Sequence, residues 1–134
     1  MNGHDAFVCL AVVFLLYEKY LRRTEQIGED EKFKPEHAVF NRIGADLGVD
    51  KATAFLIWNN WRNGLLHRAM PLANDDVTWA LNGKIRAPVT RNGKQLILNP
   101  WFIREIIVNK VRQKKHIWKD DKAPLMDVYV SDLT

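Results

Sequence analysis

The sequence predicts a mainly α protein: a small helical bundle with a β-hairpin region inserted before the last helix. Three observations carry that prediction. Apolar residues recur at three- and four-residue spacing in separate segments. Two Asn-Gly pairs cluster between short apolar runs within residues 77–98. A chain of 134 residues with 47% hydrophobic content is long enough for one ordinary core and short for two, so a single domain over 1–134 is expected.

The first helix is expected over about residues 5–23, with Asp5 as its N-cap. Its first half, AFVCLAVVFLLY, is apolar nearly all round and has to be covered on several sides; a partner subunit can supply one of them. TEQIGEDEKFKP, residues 24–35, is charged, contains Gly28 and ends at a proline, which reads as an exposed connection. A second helix over about 36–47 carries Val39, Phe40, Ile43 and Leu47 on one stripe and stops at Gly48. Asp50 caps a third over about 51–69, in which Phe55, Trp58, Trp61, Leu65 and Leu66 recur at helical spacing until Pro71.

Beyond Pro71 the period changes. VTWALNGKIRAPV and VTRNGKQLIL each hold an Asn-Gly pair between apolar runs, so two small hairpins or one irregular sheet are expected over 77–98. Asn99 and Pro100 then supply an N-cap and first-turn proline for a final helix over about 100–116, with Phe102, Ile103, Ile106, Ile107 and Val111 on its buried side. The last stretch, APLMDVYVSDLT, reads as a short strand or a tail.

Composition excludes several classes of function. The single Cys9 cannot form an intrachain disulfide and sits in an apolar run, which fits a reducing, cytoplasmic setting. His4, His37, His67 and His116 are scattered without the close Cys or His pairs of a structural zinc site, so neither metal nor cofactor is expected. The apolar run from residue 6 to 17 falls well short of the ~20 residues of a membrane-spanning helix and lacks the flanks of a secretory signal. A net charge of +4 permits a polyanionic partner. KVRQKKHIWK, residues 110–119, concentrates five positive charges, Lys110, Arg112, Lys114, Lys115 and Lys119, which serve either phosphate contact or the helix C-terminal dipole.

WRNGLLHRAMP, residues 61–71, carries the chemistry. Asn63 and His67 are four apart and share a helical face, whereas Arg62 and His67 are five apart and diverge by about 140° on a regular helix. The long guanidinium arm and Gly64 soften that divergence. At a cleft meeting RNA, an imidazole with an ordinary pKa near ~6.5 can take the proton of a ribose 2′-hydroxyl, while Arg62 grips two phosphate oxygens and Asn63 orients either group. The products are a 2′,3′-cyclic phosphate and a 5′-hydroxyl. Read singly, His67 also fits a helix-end histidine, and Arg62 fits an ion pair with Asp46 or Asp50.

Arg62, Asn63, a three-residue spacer and His67 resemble the motif of HEPN-domain ribonucleases, and so does the context: an internal helix end following a long N-terminal helix. The resemblance implies metal-independent RNA cleavage by Arg62, Asn63 and His67, with Arg62 and His67 of two subunits facing across a symmetric homodimer cleft. Arg68, Lys110, Arg112, Lys114 and Lys115 are the expected RNA contacts. It further implies a role in defence or a toxin–antitoxin system, beside an antitoxin or a nucleotidyltransferase.

A rival lies in IGADLGVDKATAFLIW, residues 43–58, which resembles a DNA-binding helix-turn-helix: Gly44, a tight turn through Leu47, Gly48 and Val49, and a second helix with Ile57 inward. Its second helix offers only Lys51 and Thr53 for reading base edges. A non-catalytic interaction domain is the third option.

Overall fold

The computed structural model describes residues 3–62 and 77–114, the side chains of His4, Phe7 and Arg62 excepted. Helix α1 (Gly3–Thr24) leads to α2 (Val39–Leu47) and α3 (Lys51–Ile57), which runs on as a π-helical turn, Trp58–Arg62. Strands β1 (Thr78–Leu81), β2 (Val89–Asn92) and β3 (Gln95–Leu98) precede helix α4 (Pro100–Gln113). The described residues are thus mostly helical with a small three-stranded sheet.

Helix α1 buries Leu10, Val13, Phe14, Tyr17 and Leu21 on one side. Each such aliphatic or aromatic side chain contributes about 1.5–3 kcal/mol on leaving water. Its main partner is α4, whose Ile103, Ile107, Val108 and Val111 face inward. The two helices run in the same direction, since Cys9 meets the Pro100 carbonyl at the start of α4 while Tyr17 and Lys110 meet one Asp46 carboxylate further along. Asp5 lies inside the first turn rather than at the cap, because the helix begins two residues earlier, at Gly3. At the other end Gln26 takes the left-handed φ of 56° that a glycine often supplies, and Ile27 N–H reaches back to the Arg22 carbonyl.

The 24–38 connection is more organised than its composition implies. Arg22 donates to the carbonyls of Gly28 and Glu31 at 2.6 Å each and to Glu18 at 3.1 Å, with its guanidinium over the Phe33 ring. Phe33 is buried and stacks on Trp58 at 5.0 Å. Helix α2 therefore starts at Val39, three residues later than the periodicity predicts. Residues 34–37 close their own turn, in which His37 Nδ1 accepts from Lys34 N–H and the ring turns Nε2 toward Glu31.

Between α2 and α3 the chain turns sharply. Gly48 has φ 71°, and a Cβ on Gly44 would lie 2.6 Å from the Val49 carbonyl oxygen, so the close approach admits only glycine. Asp50 caps α3 as predicted, accepting from Thr53 N–H at 2.7 Å. The α-helical hydrogen bonding stops at Ile57, short of the predicted continuous helix to 69, and residues 63–69 lie outside the described residues. Within the π turn the Asn60 amide donates to the Leu56 carbonyl, the acceptor its own backbone would reach in a regular helix. Trp58, Asn60 and Trp61 are all buried there.

The sheet order is β1-β3-β2, with β1 parallel and β2 antiparallel to β3. Only the second Asn-Gly pair makes a hairpin. Asn92 pairs with Gln95, so Gly93 (φ 62°) and Lys94 form the two-residue loop, with positive φ at the first position alone, as a II′ turn requires. The first pair, Asn82 and Gly83, opens a crossing: residues 82–88 pass over the end of β3 instead of returning beside β1. Asn82 N–H bonds the Leu98 carbonyl, and Asn99 N–H bonds the Pro88 carbonyl.

Asn99 holds this junction. Its buried side chain accepts from Trp101 and Phe102 N–H, capping α4, and donates to the Ile85 carbonyl at 2.8 Å. Helix α4 has regular hydrogen bonding to Gln113, with Lys114 as C-cap, against a predicted end near 116. Asn99→Ala strips the cap and leaves three backbone groups short of a partner, and is expected to destabilise the fold by about 2–4 kcal/mol in urea unfolding. Asn99→Asp keeps both cap bonds but sets a buried carboxylate oxygen against the Ile85 carbonyl, so it should destabilise the fold as well.

Candidate functional site

The third helical segment delivers the motif. Arg62 lies in the π turn, and the extra residue in the helical ladder rotates its position by about 100° relative to a continuous α-helix. Trp58 and Trp61 anchor this turn inward, 5% and 1% exposed, which makes them core residues as expected. Trp61 packs edge-on against Trp79 of β1, with ring centroids at 5.5 Å, joining the helix end to the sheet. Trp79 is partly buried, and its indole N–H has no acceptor among the described residues.

Asn63, His67, Arg68 and Lys115 lie outside the described residues, as does the Arg62 side chain. The structure therefore brings none of the predicted catalytic side chains together and separates none of them. Both acids named as rival partners of Arg62 have contacts of their own among the described residues. Asp50 caps α3, and its carboxyl is held below the usual range by its hydrogen bonds from Thr53, with Arg91 adding a smaller attraction. Asp46 is committed to the interior.

Asp46 is the polar feature that sequence periodicity misses. Its side chain is only 3% exposed, and it accepts a hydrogen bond from the Tyr17 hydroxyl at 2.6 Å. The Lys110 ammonium stands 3.4 Å from its other oxygen. Lys110, read from sequence as an RNA contact, thus directs its charge to the joint of α1, α2 and α4. Arg112 and Lys114 are exposed on the last turn of α4 and its cap. The Cys9 thiol is pushed up by burial, an effect that nearby Arg104 partly offsets, and it sits against the Pro100 carbonyl as a packing group rather than a nucleophile. Among the described residues no group of His, Cys, Asp and Glu could hold a metal ion, and no helix is long and apolar enough to cross a membrane.

Burial and the adjacent Asp46 charge raise the Tyr17 hydroxyl well above its ordinary value of 10.0, and Tyr20 is raised for the same two reasons. The sign of the resulting pH dependence follows. Below about pH 10 the tyrosines are neutral in both states; above it they ionise in the unfolded chain before they can in the folded one, so stability falls as pH rises. The urea midpoint is expected to drop between about pH 9 and 11, less steeply in Tyr17→Phe. At neutral pH that variant should cost about 1.5–3 kcal/mol for the lost hydrogen bond to a charged carboxylate. No family model, curated protein or solved structure matches the chain.

Proposed function

We propose that the chain is a HEPN-like helical domain acting on RNA as a metal-independent endoribonuclease. Arg62 holds the scissile phosphate, Asn63 orients phosphate or imidazole, and His67 takes the 2′-hydroxyl proton as the 2′-oxygen attacks phosphorus. The 5′-oxygen leaves with a proton, giving a 2′,3′-cyclic phosphate and a 5′-hydroxyl end. Two copies form the cleft, Arg68, Arg112, Lys114 and Lys115 contact the RNA backbone, and a cytoplasmic role in defence or a toxin–antitoxin pair belongs to the same reading.

The observation that carries this proposal is the π turn Trp58–Arg62, which includes the arginine of the motif. Turns of this kind are frequent at functional sites. Two buried tryptophans hold this one in place. The proposal is tested by incubating purified protein with mixed RNA in chelator. Cleavage to cyclic-phosphate ends is expected from the parent chain, with at least a hundredfold loss in Arg62→Ala and His67→Ala. Equal cleavage by all three proteins would mark a contaminating nuclease and end the reading.

A second reading, duplex DNA binding through residues 43–58, is favoured by the Gly44–Asp50 bend, where Val49 N–H bonds the Gly44 carbonyl at 2.9 Å. Against it, Thr53 is buried beneath its bond to Asp50, leaving Lys51 as the outward polar side chain of the two named for base contact. DNA binding would show steep salt dependence and sensitivity to Lys51→Ala but not to His67→Ala.

A further inference from the structure

Among the described residues, helix α1 is covered on one side only. The large apolar side chains exposed among the described residues are Val8 and Leu15, each 49% open, and both stand on α1. With half-buried Ala11 and Val12 between them, and exposed Asp5 and Lys19 beyond, they form one stripe: positions 5, 8, 12, 15 and 19 recur at alternating steps of three and four. That spacing is the seam of a helix pair, placed opposite the face that packs on α4.

The charges at the two ends of the stripe identify its occupant. We infer that α1 pairs antiparallel with α1 of a second copy of this chain, about a two-fold axis beside Val12. In that arrangement Val8 lies against the partner's Leu15, Val12 against the partner's Val12, and Asp5 against the partner's Lys19. The stripe is therefore complementary to itself: acid at one end, base at the other, apolar in between, as an isologous contact demands. A parallel pairing would instead set Asp5 on Asp5 and Lys19 on Lys19. Three apolar positions per chain make a small seam beside the about 800 Å² per partner of a standard interface, so the association is reversible and concentration-dependent.

The inference rests on α1 alone and not on the nuclease reading. Sedimentation equilibrium of the full chain without RNA tests it. The parent chain should dimerise with rising concentration, and Leu15→Glu should weaken dimerisation at least tenfold while leaving the helical circular dichroism unchanged, since Leu15 is outside the core. Asp5→Lys and Lys19→Asp, each alone, place like charges together at both ends and should weaken the dimer; the two combined restore opposite charges and should recover it. A chain that stays monomeric at every concentration overturns the inference, as it would if residues 115–134 or a different protein covered this face. So does a dimer indifferent to Leu15→Glu, or a double charge exchange without recovery. A monomer that still cleaves RNA would remove this inference and the two-copy cleft, and leave the proposed cleavage itself standing.

Discussion

The arrangement of the C-terminal half depends on the amide of Asn99. Backbone groups at the start of a helix and in the middle of a crossing loop need partners away from water, and one side chain meets three of them, two N–H groups of the helix and one carbonyl of the loop. An amide suits the position because it offers an acceptor and a donor in one rigid plane. Its oxygen faces the opening N–H groups of α4, and its nitrogen faces the Ile85 carbonyl of the loop above β3. With that junction fixed, the direction of α4 follows from the direction of β3.

From there the constraints pass to α1 and to the third helical segment. The direction of α4 brings Lys110 to Asp46, and Asp46 in turn holds Tyr17 and hence α1. The buried carboxylate is tolerable because a hydroxyl and an ammonium compensate for its lost hydration. On the sheet side, β1 reaches the π turn through Trp79 and Trp61, while the 24–38 connection reaches it through Phe33 and Trp58. The turn that includes Arg62 is thus gripped from two directions, by elements distant from it in sequence.

Periodicity made the helices legible. The stripe of Val39, Phe40, Ile43 and Leu47 is buried as read, and Asp50 and Asn99 cap the helices they precede. What stayed hidden depends on contacts across the fold. Nothing local distinguishes Asn82-Gly83 from Asn92-Gly93, yet only the second turns a hairpin, because β3 claims the place beside β1 that a first hairpin would fill. The π turn likewise follows from the tertiary burial of two tryptophans and the Asn60–Leu56 bond, not from propensity. Asp46 reads from sequence as an ion-pair candidate for Arg62, and only the fold shows its place at the joint with α1 and α4. The motif itself was legible as residue types and spacing, whereas its side-chain geometry lies outside the described residues.

The parallel packing of α1 on α4 sets the order in which the chain can fold. Cys9 and Pro100 are 91 positions apart, and α4 is the main helix that packs on α1. Helix α1 is synthesised well before α4, so during translation its apolar face must wait for about a hundred further residues, at roughly 5–20 per second. Contacts of this separation slow folding, and they leave a sticky helix on the nascent chain for several seconds. The Arg22 clamp and the α2–α3 bend, both built from neighbours in sequence, can close early and give that helix a partial shelter until its long-range partner arrives.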